Sequence, residues 1–478
     1  MRADVGTSTV PAAVRPGRTL AVVCVGYAMV IIDTTIVNVA LPAIRNELHT
    51  GLDALQWVVD GYVLVLASLL LSGGTLVDRV GSARVFRLGV MLFTLTSMLC
   101  GLAPTSAVLV VARLLQGLSA ALLIPAAMAL ITQAYPDKIA RGKAIALFTT
   151  IAGSPQAFGP VVGGLLVNTL GWRSIFFLNL PIGVVTLVLA ALGGLPDTPP
   201  KRGRTLDLPG QIAAVVTLAA LAGALIEGHA RGWLSPVPVA CAVVAVIAAA
   251  LFVVQERRIA EPMLPASLVR APRLTSYVAI GLLLFVAYYG LLFALSLFLQ
   301  QVRGESALAT GLQFLPSALP VFLLPVATGS LAVRWGARRI VTTGLVLAAV
   351  GAVALLAVSA HNGPLPVSIA LLLLGCGVGL IVGPQISMVI GTVPAEQSGI
   401  ASGLLNSGRQ TGYVLGVAVL GSVAATTNRV TGLHIAALVA VAVLLAALVL
   451  GRPKRVPGTV TTPAAARDAD PTAVRDGA

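Results

Sequence analysis

The chain has 478 residues, 57% hydrophobic and only 10% charged, against roughly a quarter charged in an ordinary soluble domain, which excludes a soluble fold. The net charge of +14 does not point to nucleic acid, because the basic residues sit between apolar segments instead of gathering on one face. Four cysteines placed singly in apolar stretches exclude a disulfide framework and a zinc site.

A helix satisfies its own backbone polar groups in lipid, and about 20 apolar residues span the hydrocarbon. Residues 1–18, with Arg2, Arg15 and Arg18, are expected to form a cytoplasmic tail. Segments 19–41, 54–76, 84–103, 106–132, 144–167 and 173–195 predict six crossings, a first bundle over 19–195. A basic, proline-containing loop then leads to two more segments, 209–227 and 235–256, so 196–256 reads as a loop and an inserted pair. Beyond a cytoplasmic linker at 257–274, segments 275–299, 309–333, 340–360, 366–391, 399–425 and 431–450 predict a second bundle over 275–450. Residues 451–478, rich in Pro, Ala and Thr, have the composition of a disordered tail. The expected fold class is an all-α integral membrane protein with fourteen crossings.

Lys and Arg collect in cytoplasmic loops. Arg79, Arg84, Arg87, Lys138, Arg141, Lys143, Lys201, Arg202, Arg204, Arg257, Arg258, Arg334, Arg338 and Arg339 fall on the side of the termini, against Arg45, Arg173, Arg231, Arg303 and Arg429 on the other. Both termini are therefore expected in the cytoplasm. An internal repeat relates GTLVDRVGSAR at Gly74–Arg84 to GSLAVRWGARR at Gly329–Arg339. Two six-helix halves flanking an inserted pair account for it, with a substrate site expected where the halves meet.

Ionisable groups inside a membrane are costly and are functional candidates. Asp33, Asp60 and Arg113 each fall about 6 to 8 residues from the outer end of their spans, on the order of 10 Å deep at about 1.5 Å per residue, so they can meet. A carboxylate beside a movable arginine is the minimal apparatus of proton exchange, and a static ion pair is the alternative. Arg409 lies near mid-depth with Asn406 and Gln410 within a turn, suited to an anionic or carbonyl group or to backbone carbonyls. Asn38, Trp57, Gln116 and Gln385 complete the expected cavity, with Phe158, Phe285, Tyr288, Tyr289 and Phe314 as apolar walls. Two buried acids set against two buried arginines suggest a neutral, zwitterionic or modestly charged amphipathic compound.

The loop GGTLVDRVGSARVF resembles the signature cytoplasmic loop of the major facilitator superfamily. That likeness implies a conformational latch at Gly74, Asp78, Arg79, Gly81 and Arg84. Ser82 and Ala83 depart from the usual basic residues, and Val333 replaces the acid in the second copy. The stretch IAGSPQAFGPVVGG, with Gly153, Pro155, Gly159, Pro160, Gly163 and Gly164, is similar to the exporter motif of that superfamily; by itself it reads as close helix packing. IIDTTIVNVALPAI, LQWVVDGYVLVLASLLLSGG, ARLLQGLSAALLIPAAMAL, GWRSIFFLNLPIG and GIASGLLNSGRQTGYVLGVAVLG together resemble the fourteen-helix drug:proton antiporter family, from about Leu20 to Leu450. VVDGYVL and ALIEG look most like actinobacterial antibiotic exporters, the methylenomycin-resistance type among them.

The resemblance implies the major facilitator fold, two six-helix bundles related by a pseudo-two-fold. It also implies proton-coupled export by alternating access, with Asp33, Asp60 and Arg113 in coupling and substrate recognition. No cofactor is expected, the proton gradient being the drive. The expected partners are protons, a small-molecule substrate and the lipid bilayer, without nucleic acid, and the chain is expected to be a monomer in the cytoplasmic membrane. Competing readings are uptake of a small metabolite, a transport-dead sensor or scaffold, and a membrane enzyme. The last lacks any HExxH, GxSxG or clustered acid constellation in the sequence, so no catalytic or metal-ligating residues are expected.

Overall fold

The structure is a computed structural model describing residues 16–192, 195–196, 207–259, 268, 270–394, 397–424 and 429–451, apart from some side chains within helices. The expected tails, most of the basic loop after 192 and most of the 257–274 linker lie outside the described residues. The secondary structure among them is helical, without a strand. Twelve helices there are long and apolar enough to cross a membrane. Two others occupy the fifth and thirteenth expected spans, Lys138–Leu170 and Ser398–Ala424.

The first half contains α1 (Pro16–Leu48), α2 (Leu52–Val80), α3 (Ser82–Gly101), α4 (Ser106–Ala134), α5 (Lys138–Leu170), α6 (Ser174–Phe177) and α7 (Asn179–Leu192). Next come α8 (Leu208–Arg231) and α9 (Pro236–Arg258). The second half contains α10 (Pro272–Gln301), α11 (Ala307–Trp335), α12 (Ala337–Ala354), α13 (Leu365–Ile390), α14 (Ser398–Ala424) and α15 (Arg429–Leu450). Loop side chains start several helices: Thr105, Asp137, Asp207 and Ser306 accept the N–H of Val108, Ala140, Gly210 and Ala309. The sixth expected span is broken at Leu178, where Pro181 one turn on has no N–H to give Phe177.

The two halves share one plan. In the first, α1 packs on α4, α5 and α7, and α4 on α2 and α3; in the second, α10 packs on α13, α14 and α15, and α13 on α11 and α12. Across the seam the pairing is crossed, α2 on α14 and α5 on α11. This is the contact pattern of a pseudo-two-fold. The repeated loops obey it as well: Gly81 and Gly336 have φ of 102° and 87°, a conformation that costs glycine little, at the tight turns α2–α3 and α11–α12. The inserted helices pair with each other, and α8 touches both α2 and α14, capping one side of the seam.

A band of side-chain bonds joins the halves toward the end of the bundle that carries His49. Ser296 Oγ donates to Asn38 O (2.7 Å), Gln300 Nε2 to Val39 O (3.2 Å) and Arg45 Nη1 to Gln301 Oε1 (3.2 Å). Gln56 Nε2 donates to Val417 O (3.1 Å), Ala418 O (3.3 Å) and Ser422 Oγ (3.2 Å). On the α5–α11 side the backbones nearly touch, since a Cβ on Gly311 would overlap the Pro160 carbonyl. Gly311→Val is therefore expected to cost about 1–3 kcal/mol by overpacking, read as a lower melting temperature in detergent. Gly363→Ala is the control, because a Cβ there meets nothing.

Candidate functional site

Asp33, on α1, is fully buried and ion-paired to Arg113 of α4 through Oδ2 and Nη1. Five further bonds complete the setting. Gln116, one turn after Arg113 and so on the same face, donates from Nε2 to Asp33 Oδ1 (2.9 Å) and accepts from Arg113 Nη1 at Oε1 (2.8 Å). Asn179, at the start of α7, donates to the same Asp33 Oδ1 (3.1 Å) and to Ser97 Oγ (3.0 Å). Arg113 Nε is spent on Val58 O (2.9 Å), and its guanidinium lies 4.3 Å from the centre of the Tyr62 ring. Two helices, α4 and α7, thus aim three donors at one carboxylate of α1. Such a pair is held by its geometry, because desolvation consumes much of what the attraction returns.

Asp60 is equally buried, yet neither carboxyl oxygen has a hydrogen-bond partner. It does not join the Asp33–Arg113 pair. Tyr413 of α14 donates to the carbonyl of Thr34 (3.3 Å), the residue after Asp33, and so brings the second half against α1 next to the ion pair.

In the second half, Arg409 is buried and bonded only to neutral acceptors. Its Nε and Nη2 reach Gln385 Oε1 (3.2 and 2.5 Å), and Nη2 also reaches Val382 O (3.0 Å). Gln385 is held in turn by Tyr277 O (2.7 Å). At the centre of the seam, Thr35, Asn38, Pro160, Tyr288, Tyr289, Leu292, Phe314, Ser317 and Ala318 enclose about 20 Å³, room for no more than a water.

The other expected residues are placed as follows. Asn406 and Gln410 are half-buried near Arg409. Gln116, expected in the cavity, belongs to the charge cluster. Trp57 is a correction: its ring lies against Gly223 of α8, on the flank of α2 turned toward the inserted pair and not on the seam. Phe158 is about half exposed. In the α2–α3 loop, Asp78 is exposed and makes no ion pair among the described residues, whereas Arg79 and Arg84 do have partners. Gly74 has open space around it, and Ser82 Oγ ties the loop to α4 through Gln133 Oε1 (3.0 Å). Of the glycine and proline stretch in α5, Gly159 and Gly163 seat on α1, Gly164 on Ala307 and Leu308 of α11, and Pro160 on Gly311. Gly153 and Pro155 lie where side chains are not described.

Three contributors escaped the sequence reading: Asn179, Ser97 and Gln56. Each is a neutral polar group in an apolar run, and the signal available was its cost in lipid, the same one that drew attention to the acids. Among the described residues no three His, Cys, Asp or Glu side chains come together to hold a metal.

The profile of the Major Facilitator Superfamily matches residues 23–417, and also 314–472. Among curated relatives, the chain is 40% identical over 407 residues to "Multidrug resistance protein Stp" of Mycobacterium tuberculosis (strain CDC 1551 / Oshkosh), covering 85% of this chain and 75% of that one. It is 34% identical over 426 residues to "Methylenomycin A resistance protein" of Streptomyces coelicolor, covering 88% and 89%. Among solved structures, the crystal structure of peptide transporter POT in complex with sulfate aligns with a TM-score of 0.68 at 16% identity, over 91% of this chain and 94% of that one. At that identity the likeness speaks for the fold alone.

Proposed function

The chain belongs to the Major Facilitator Superfamily, and from that premise we propose that it exports an antibiotic or another small amphipathic compound in exchange for protons, by alternating access. The observation that carries the reading is the buried Asp33–Arg113 pair with Gln116 and Asn179 closed around it. A proton arriving at Asp33 removes one charge of the pair, which frees Arg113 and changes what holds α1, α4 and α7 together. Asp33 is the coupling acid in this proposal, Asp60 a second proton site, and Asn38, Gln385, Asn406, Arg409 and Gln410 contact substrate. The likeness to proteins named for antibiotic and multidrug resistance supports export over uptake.

The same proposal has fourteen crossings of the cytoplasmic membrane, a monomer and both termini inside. The His49 end faces outward, so the bonded band between the halves is the external seal. The proton gradient is the drive, with no cofactor and no reaction catalysed.

The test is expression in an efflux-deficient host challenged with an antibiotic panel. Lower susceptibility to at least one compound is expected, with reduced cellular accumulation that a protonophore restores. Unchanged susceptibility across the panel, with the protein present in the membrane, would sink the proposal.

A further inference from the structure

We propose that Arg409 anchors an anion-binding subsite, and that the exported compound is a planar, conjugated molecule bearing a carboxylate or a comparably acidic group. The inference rests on the efflux reading and narrows its substrate class.

The two buried arginines differ in what neutralises them. Arg113 has Asp33. Arg409, 7% exposed, has the amide oxygen of Gln385 and the carbonyl of Val382, and no carboxylate within ion-pair distance among the described residues. Neutral acceptors satisfy N–H geometry but leave the charge uncompensated, and an uncompensated buried charge costs several kcal/mol. The acids of the first half do not supply the counter-charge: Asp33 is taken by Arg113, and neither Asp60 oxygen has a hydrogen-bond partner among the described residues. Gln385 is itself fixed by Tyr277 O, so the guanidinium is oriented before any ligand arrives, with no bond from Nη1 among the described residues.

The aromatic side chains beside it complete the shape. The guanidinium lies 5.7 Å from the Phe285 ring centre, Phe285 is 5.2 Å from Tyr289, and Tyr289 is 4.1 Å from Tyr413. This row runs from Arg409 to the seam, where Tyr413 meets α1 through Thr34 O and Tyr289 lines the central space. The rings are tilted to one another, at 54° and 41°, and an aromatic cluster that ends in a cation complements an aromatic body with an anionic end. When the halves part, the row becomes one wall of the opened cavity.

A purely structural Arg409, bracing α13 to α14, is the competing account, and transport of two xanthene dyes separates them. Carboxyfluorescein is an anion, and rhodamine 123, whose only carboxyl is a methyl ester, is a cation on the same ring scaffold. In proteoliposomes with an imposed pH gradient, the wild-type protein is expected to move carboxyfluorescein in preference. Arg409→Gln should lower that rate about tenfold or more, the loss of a charge-assisted bond, while Arg409→Lys retains part of it. Equal loss for both dyes, no loss for carboxyfluorescein, a wild-type preference for rhodamine 123, or movement of neither dye would each overturn the inference. Efflux itself is decided separately by the antibiotic panel, so the two failures are distinguishable.

Discussion

Asp33→Asn is expected to reduce proton-driven efflux by about a hundredfold, a loss of roughly 2.7 kcal/mol at the coupling step, and to destabilise the fold as well. The carboxylate oxygens accept from Arg113, Gln116 and Asn179. An asparagine offers one acceptor oxygen and turns an NH₂ toward groups that are themselves donors. It also leaves Arg113 buried without a counter-charge, a change that costs about 3–5 kcal/mol. Lost transport alone would therefore be ambiguous, and Asp33→Asn combined with Arg113→Gln resolves it. Removing both charges should restore the melting temperature toward wild type without restoring transport driven by a pH gradient. Retention of wild-type gradient-driven rates in Asp33→Asn would remove the pair from the coupling mechanism.

Asp60→Asn should behave in the opposite way toward stability. Neither Asp60 oxygen has a hydrogen-bond partner among the described residues, so no such bond is lost when an amide replaces the carboxylate. Its melting temperature is expected within about 0.5 kcal/mol equivalent of wild type. Transport is expected to fall on the order of tenfold or more, because the substituted site no longer takes up and releases a proton. The two acids thus part in two measurements, melting and gradient-driven flux. A destabilisation as large as that of Asp33→Asn would show that Asp60 depends on a partner after all, and unaltered flux would exclude it from coupling.

Much of the architecture was legible because its causes are local. Apolar length predicts a crossing wherever it exceeds the bilayer, and the Gly74–Arg84 repeat pointed to two related halves. The structure gives physical content to that repeat in the matched backbone of Gly81 and Gly336. Depth along a helix is also readable, at a fixed rise per residue, and this brought Asp33 and Arg113 to one level. Azimuth is not. Asp60 shares that depth yet stays out of the ion pair, Trp57 lies against α8, and Gln116 turns toward the ion pair. Which way a residue points depends on the tilt and rotation of its helix, set by contacts far away in sequence. Asn179 and Gln56 were missed for the same reason: their importance lies in partners 146 and 361 residues away.

Gln56 has a consequence for how such a protein tolerates change. Two of its three acceptors on α14 are main-chain carbonyls, at Val417 and Ala418. Every amino acid supplies that oxygen, so substitutions at 417 and 418 that preserve side-chain size leave those two bonds intact. Divergence along that stretch of α14 is therefore cheap for this closure, whereas the position of Gln56 is constrained. A joint of this design confines the mutational burden to one side and leaves the other side free to vary.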